Sequence, residues 1–308
     1  MKTLVIGSRG SKLALAQSTW VKEQILARFP ETPVEIKVIR TSADRDQKTS
    51  IRSGSATGVF VKEIEDALMA GTIDLAVHSM KDVPTRIPDQ LVIECIPPRE
   101  DPRDALLALQ PLGGIADLPE RAIVGTGSVR RQAQLSALRA DLRIQDIRGN
   151  VDTRLAKMEA GDYDAVMLAC AGLNRLGLAR RISLRLDTDA VLPAPGQGAL
   201  ALEIRKGDEE SAHRVAHLND PETAVAVRAE REFLRSMGGG CNSPVAVYAR
   251  YVGAEILIEG LAAAPDGTRV VRESISCPSG DAESSAARLA DKVLALGGRE
   301  ILDAHRQG

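Results

Sequence analysis

The sequence predicts an α/β protein of three domains: two α/β segments that share one grammar, then a small α+β domain with an antiparallel sheet. Three observations carry this expectation. Short apolar runs alternate with helical periodicity from Leu4 onward, and the alternation restarts at Ala122 after the break Pro97-Pro98. From Asp208 the pattern changes to two helical stretches followed by three strand-like ones. The 308 residues also exceed what a single core usually fills.

In the first segment, residues 4–7 read as a short buried strand and Ser8-Arg9-Gly10-Ser11 as a tight polar loop. A helix over about 13–29 comes next, with Ala14, Val21 and Ile25 on one face. Val34, Ile36 and Val38 alternate as a second strand. The polar stretch 41–57 has no period and reads as a long mobile loop. Gly58 opens a helix through Phe60, Ile64 and Leu68, which Gly71 closes. Residues 74–79 form another buried strand, leading into Met80-Lys81-Asp82-Val83-Pro84, and 91–96 a further one.

The second segment reuses this order. Strands are expected at 122–126, 143–147 and 164–170, and helices at 129–140 and 151–160. Pro193-Ala194-Pro195-Gly196-Gln197-Gly198 reads as a second hinge, and 199–204 as a strand returning to the first domain. The first domain is then discontinuous, 1–97 with 197–215; the second is 98–196 and the third 216–308. In the third, strands at 245–252, 255–262 and 269–276 precede a helix over 282–296, with Pro265-Asp266-Gly267 as a hairpin signal.

Composition narrows the function classes. Hydrophobic content of 44% and charged content of 27% are those of a soluble globular protein. No apolar run is long enough to span a bilayer, and Met1-Lys2-Thr3 leads into a strand, not a signal peptide. A net charge of −2 argues against a general binder of nucleic acid or anionic membranes. The four cysteines are scattered with no CxxC spacing, so reduced thiols in the cytoplasm are expected, and no metal site. Of the 40 basic residues 30 are arginine, and their positions are more telling than their number.

Arg9 with Ser11, Ser128 with Arg130 and Arg131, Arg148 with Asn150 and Arg154, and Arg175 all fall at strand-to-helix turns. Lys81 sits at the end of the 74–79 strand. In open α/β sheets such turns border the ligand, and guanidinium groups there grip carboxylates or phosphates bidentately. Any one of them also reads as a solvated surface arginine. Asp82 is the lone carboxylate in this set, suited to holding N–H groups or a developing cation. Asp101 and Asp104 read as turn and hinge residues, and His78 as a hydrogen-bonded structural histidine. Ser236-Met237-Gly238-Gly239-Gly240-Cys241 reads equally as a helix C-cap with an incidental cysteine or as a thiol presented on a glycine loop.

Val77-His78-Ser79-Met80-Lys81-Asp82-Val83-Pro84, Gly125-Thr126-Gly127-Ser128-Val129-Arg130-Arg131, Arg148-Gly149-Asn150-Val151 and Gly239-Gly240-Cys241 together resemble the porphobilinogen deaminases, or hydroxymethylbilane synthases. Arg9-Gly10-Ser11, Ala171-Gly172-Leu173 and Gly196-Gln197-Gly198 extend the resemblance over nearly the whole chain. It implies two periplasmic-binding-protein-like lobes with mixed, mostly parallel sheets, and a small α+β domain carrying a dipyrromethane cofactor on Cys241. It implies that Asp82 is catalytic and touches the cofactor. Lys81, Ser128, Arg130, Arg131, Arg148, Asn150 and Arg154 would hold the cofactor and growing chain. Arg9, Ser11, Gln17 and Arg175, again with Arg148 and Arg154, would bind incoming porphobilinogen. A monomer is expected, with room for hand-over of product to uroporphyrinogen-III synthase.

One departure stands out. Members of that family often carry a lysine shortly before the segment that here reads Ser55-Ala56-Thr57-Gly58, where Arg52 is the nearest cation. Two other readings fit part of the pattern. A non-catalytic two-lobed receptor for a small polyanion leaves Asp82 and Cys241 without a purpose, and a cysteine-nucleophile hydrolase lacks a histidine in a convincing context.

Overall fold

The computed structural model describes residues 2–39, 61–240 and 242–307. They form two compact units, Met1–Glu100 with Ala199–Ala224 and Asp101–Gly198 with Val225–Gly308. The expected 41–57 loop and the first residues of the helix opened by Gly58 lie outside the described residues.

The first unit begins with β1 (Leu4–Arg9), α1 (Lys12–Arg28), β2 (Val34–Ile39), α2 (Lys62–Met69), β3 (Leu75–Ser79) and β4 (Leu91–Cys95). The second continues with β5 (Asp104–Ala108), β6 (Ile123–Gly125), α3 (Val129–Leu138), β7 (Arg143–Gln145), α4 (Val151–Glu159), β8 (Ala165–Ala169), α5 (Cys170–Arg175) and β9 (Leu184–Leu186). Next, β10 (Leu200–Arg205) and α6 (Glu209–Val215) belong to the first unit, and α7 (Pro221–Ser236) leads out of it. The chain closes with β11 (Val245–Val252), β12 (Glu255–Ala263), β13 (Val270–Pro278), α8 (Ala282–Val293) and α9 (Arg299–Gln307).

The first unit's sheet has the order β2-β1-β3-β10-β4, with β1 parallel to both neighbours and β10 antiparallel to both. The second unit's large sheet, β7-β6-β8-β5-β9, repeats the scheme with β6 and β5 in those roles. Its small sheet, β11-β12-β13, is antiparallel throughout. The predicted class holds: two mixed α/β sheets and a small antiparallel α+β element.

Side-chain alternation sorts the first sheet's faces. Leu75, Val77, Leu200 and Leu202 join Leu4 and Ile6 against Val21 and Ile25 of α1. Ala76 and Val5 face Ile64 and Leu68 of α2 on the other side. Ile64 and Leu68 are fully buried, contributing about 2 kcal/mol each as an upper figure. Two strands escape a sequence reading. β9 is only three residues long, and β5 is a buried apolar run behind a proline and an arginine. The helix expected over 282–296 is interrupted by a wide turn, Leu294–Gly298, where Gly297 takes φ 113°, before α9 begins.

Candidate functional site

β1 and β3 run parallel, so Arg9 and the turn after β3 emerge at the same sheet edge. That turn is a single 3₁₀ turn, Met80–Asp82, closed by the Val83 N–H donating to the Met80 carbonyl at 3.1 Å. Three ties hold its base. The Met80 N–H donates to the Ala199 carbonyl at 3.0 Å, and buried Gln17 donates through Nε2 to Ser79 Oγ at 2.9 Å. On the opposite face His78 Nε2 lies 3.0 Å from Glu203 Oε2, both side chains buried, as expected of a structural histidine. Lys81 and Asp82 are themselves half-buried. Ser11 caps α1, accepting from the Ala14 N–H at 3.3 Å.

In the second unit β6, β7 and β8 are likewise parallel, and Ser128, Arg148 and Asn150 follow the C-terminal ends of β6 and β7. Arg175 lies at the far end of the helix after β8 and not at a strand-to-helix turn. Ser128 caps α3 through the Arg131 N–H at 3.4 Å. Asn150 caps α4 through the Thr153 N–H at 2.9 Å. Half-exposed Arg148 pairs with Asp146 at 3.0 Å, and Arg175 donates to the Gly198 carbonyl at 2.7 Å.

Arg130 and Arg131 do not lie on the surface. Both are buried, and both converge on Asp104, which is fully buried at the head of β5. Arg130 Nη1 lies 2.8 Å from Asp104 Oδ2, and Arg131 reaches Oδ1 with Nε at 3.0 Å and Nη2 at 2.7 Å. Gln197 Nε2 adds a donor to Oδ1 at 2.9 Å and another to the Pro102 carbonyl at 2.7 Å. Burial pushes the Asp104 carboxyl up, but the two guanidinium charges outweigh it and hold it well below the usual carboxylate range. Asp104 is therefore no turn residue. It leads an apolar strand that pairs with β8 and β9, and the two arginines are what make its burial tolerable.

The cluster carries two cations against one anion, which leaves positive charge over. Buried Arg130 Nε has no hydrogen-bond partner among the described residues. Arg154 donates Nε to the Gly149 carbonyl at 2.8 Å and has no ion pair among the described residues. Burial lowers its affinity for the proton, and the neighbouring charge of Arg131 lowers it further. Asp146 offsets this in part. An orphaned buried donor and a guanidinium with no direct ion pair among the described residues are the complement of an anionic ligand.

α7 ends in a Schellman motif: the Gly238 N–H reaches the Arg235 carbonyl at 3.0 Å and the Gly239 N–H the Leu234 carbonyl at 3.2 Å, with Gly238 at φ 63°. The glycine run thus has a structural use before any chemical one. Cys241 lies outside the described residues. Cys95, Cys170 and Cys277 are buried free thiols, and burial pushes the first two up to about 12, so they are poor nucleophiles. Sequence reasoning misplaces Asp104 in a turn and passes over Glu65 and Glu203. The available signal is a charged residue inside a continuous apolar run, as Glu203 stands in Leu200-Ala201-Leu202-Glu203-Ile204. Among the described residues no helix is long and apolar enough to cross a membrane, and no cluster of candidate ligands could hold a metal ion.

Comparison with known proteins is consistent along the chain. Residues 4–213 match the family model described as porphobilinogen deaminase, dipyromethane cofactor binding domain, and 224–295 the porphobilinogen deaminase C-terminal domain. The porphobilinogen deaminase of Syntrophotalea carbinolica is 49% identical over 302 residues, covering 98% of this chain and 95% of the relative. That of Thermus thermophilus is 47% identical over 303 residues, 98% of this chain and 99% of the relative. Among solved structures, the periplasmic aliphatic sulphonate binding protein from Escherichia coli aligns with a TM-score of 0.40 at 19% identity, over 77% of this chain and 71% of that one.

Proposed function

The chain belongs to the porphobilinogen deaminase family, and on that premise we propose how its residues divide the work of the reaction. The reaction joins four porphobilinogen molecules with loss of ammonia on a covalently held dipyrromethane primer, then releases the linear tetrapyrrole hydroxymethylbilane by hydrolysis. The observation that carries this assignment is the run of both family domains, in order, along nearly the whole chain.

Each porphobilinogen brings an acetate and a propionate, so the growing product is a polyanion. A cation-rich edge in a protein of net charge −2 answers that need. The bound primer supplies the pyrrole carbon at which the chain is extended, and Cys241 is the residue proposed to carry it. Arg148, Arg154, Ser128 and Asn150 in the second unit, and Lys81 in the first, are each proposed to hold primer and product carboxylates. Arg130 and Arg131 are proposed to act from inside the Asp104 cluster, where Arg130 Nε has no hydrogen-bond partner among the described residues. Arg9, Ser11, Gln17 and Arg175, with Arg148 and Arg154, receive the incoming monomer. Gln17 does so through Ser79, to which its amide is bound.

Asp82 is the proposed catalytic residue. Departure of ammonia from the aminomethyl group of porphobilinogen leaves positive charge that spreads to the pyrrole N–H. A carboxylate on the rigid turn after β3 stabilises that charge and can take up the N–H proton. The protein is proposed to work as a cytoplasmic monomer that passes its product to uroporphyrinogen-III synthase.

Intact-mass measurement tests the assignment. Wild-type protein from cells making porphobilinogen should carry two pyrrole units, and Cys241→Ser should carry none and turn nothing over. An unmodified wild-type mass, or a Cys241→Ser protein with normal ammonia release, would refute it.

A further inference from the structure

We propose that the buried His78–Glu203 pair, with Glu65 on the helix that covers it, is a clamp that fixes the end of β3, so that His78 and Glu203 are positioning residues for Asp82. The inference rests on the reading of Asp82 as the catalytic group.

The three residues come from three elements. His78 is on β3, Glu203 on its antiparallel neighbour β10, and Glu65 on α2, which covers that face of the sheet. Glu203 lies opposite Ala76 and Ala201 opposite His78, so the strand register puts Glu203 and His78 on one face, the face that Ala76 presents to Ile64 and Leu68. All three are buried, Glu203 completely. Two carboxylates and an imidazole therefore share a space closed to water.

Such a set is stable only if it holds protons. One Glu203 oxygen is met by His78 Nε2, while Oε1 has no hydrogen-bond partner among the described residues. Burial, and then the charge of Glu203, push the Glu65 carboxyl up to about 7, so Glu65 keeps a proton where an exposed glutamate would not. His78 acts the other way, and Asp66 on the same helix adds slightly to the rise. Arg9 of β1 shares this face by alternation, and Arg205 of β10 lies at its far end, engaged with Asp74 and Asp208. Neither provides Glu65 with a counter-charge.

The clamp matters because it anchors the strand end from which Asp82 projects. His78 is four residues before Asp82, and the intervening turn is closed by the Val83 N–H on the Met80 carbonyl. Gln17 fixes Ser79 from the α1 face, and His78 with Glu203 fixes the strand from the α2 face. A side chain that must meet a developing charge loses rate steeply when displaced by an ångström.

Two measurements on cofactor-loaded enzyme test this. Melting curves between pH 5.5 and 8.5 read the proton on Glu65. Because Glu65 binds its proton more tightly folded than unfolded, the stability it provides is present at low pH and is lost as pH rises through about 7. Wild-type melting temperature should fall across that window and Glu65→Gln should not; parallel curves would overturn the clamp. Single-turnover ammonia release, normalised to loaded protein by intact mass, reads the positioning. Glu203→Gln and His78→Leu should lower kcat roughly tenfold or more with KM within about twofold, and His78→Gln, which still donates, should retain more. Unchanged kcat per loaded enzyme, whatever the melting temperature, would overturn the positioning role. Asp82→Asn, run alongside, separates the two readings: if it turns over normally, the catalytic assignment fails while the pH-dependent clamp stands or falls on the melts.

Discussion

The two α/β sheets are built to one plan and filled with opposite charge. In each, a first strand runs parallel to two neighbours and an antiparallel strand is inserted beside the third, β10 in one and β5 in the other. The interior of the first holds two carboxylates against one imidazole, Glu65 and Glu203 with His78. That of the second holds two guanidinium groups against one carboxylate, Arg130 and Arg131 with Asp104. The segments that leave the third strand differ in the same sense: Asp82 closes the turn after β3, and Arg175 ends the helix after β8. The backbone plan thus leaves the electrostatics open, and under the roles proposed above the first edge would offer Asp82 to a developing cation while the second would meet carboxylates with arginines alone.

The largest effect should come from breaking the cationic interior. Asp104→Asn removes the one charge that compensates Arg130 and Arg131 and should cost about 3–5 kcal/mol in denaturant unfolding. The acid limb points the same way. Asp104 ionises more readily folded than unfolded, so its contribution is present above the ordinary carboxylate range and is lost only as pH falls into strong acid. An Asn variant as stable as wild type would show that the two arginines are held by other groups.

Next in size is Asp82. Asp82→Asn keeps shape and hydrogen-bonding capacity but neither charge nor a basic oxygen, and turnover should fall by roughly 10² or more. Asp82→Glu should retain more, since charge survives and only its position is wrong. Melting temperatures of both should stay near wild type, because Asp82 is half-buried at a turn and not in a core. An Asn variant that melts early and turns over normally would make Asp82 a neutraliser of local charge, and the contrast between the edges would dissolve.

A smaller effect distinguishes binding from holding within the second sheet. Arg148 is half-exposed and its pair with Asp146 is worth well under 1 kcal/mol. Arg148→Leu should leave unfolding free energy unchanged within about 0.5 kcal/mol, yet raise the KM for porphobilinogen roughly tenfold, the scale of one charge-assisted hydrogen bond. Equal losses of stability in Arg148→Leu and Arg131→Leu would erase the distinction between a ligand-facing and a buried arginine.

The sequence makes local chemistry legible and long-range pairing much less so. Arg148, Asn150 and Ser128 can be placed from it because turn residues and caps carry local signals. The direction of Arg130 and Arg131 cannot, since the first turn of a helix offers its side chains both to the sheet edge and to the core. Only the pairing of β5 with β8, an antiparallel insertion between segments distant in the chain, brings Asp104 beneath them. Glu203 is hidden for the same reason: its partner His78 lies 125 positions away on a strand it meets antiparallel. Periodicity reports the elements and local chemistry reports their ends. Long-range register, which decides which buried charge meets which, is written in neither.

The smallest expected effect uses the helix caps to ask whether the two edges really differ in the charge they receive. Ser11 and Asn150 each cap the helix after a strand, at 3.3 Å and 2.9 Å from the N–H they serve. Replacing either by Ala should cost about 1 kcal/mol, somewhat more for Asn150, whose side chain also binds the Thr153 hydroxyl at 2.9 Å. Replacing either by Asp keeps the cap and adds a negative charge at the positive end of a helix, which stabilises by about 0.3–1 kcal/mol. Stability alone therefore predicts that both Asp variants match or exceed wild type. Ligand charge predicts something else. If the second sheet's edge receives carboxylates, Asn150→Asp should be stable, yet load less dipyrromethane by intact mass and bind porphobilinogen more weakly by a few-fold. Asn150→Ala should then lose stability and load less than wild type, though more than Asn150→Asp. If Asn150 only caps, the Asp variant should load and turn over like wild type, and the carboxylate edge would have to be drawn from Arg148 and Arg154 without it. Ser11→Asp gives the reference on the other sheet: it should weaken porphobilinogen binding if monomer carboxylates enter beside Arg9, and leave cofactor loading alone.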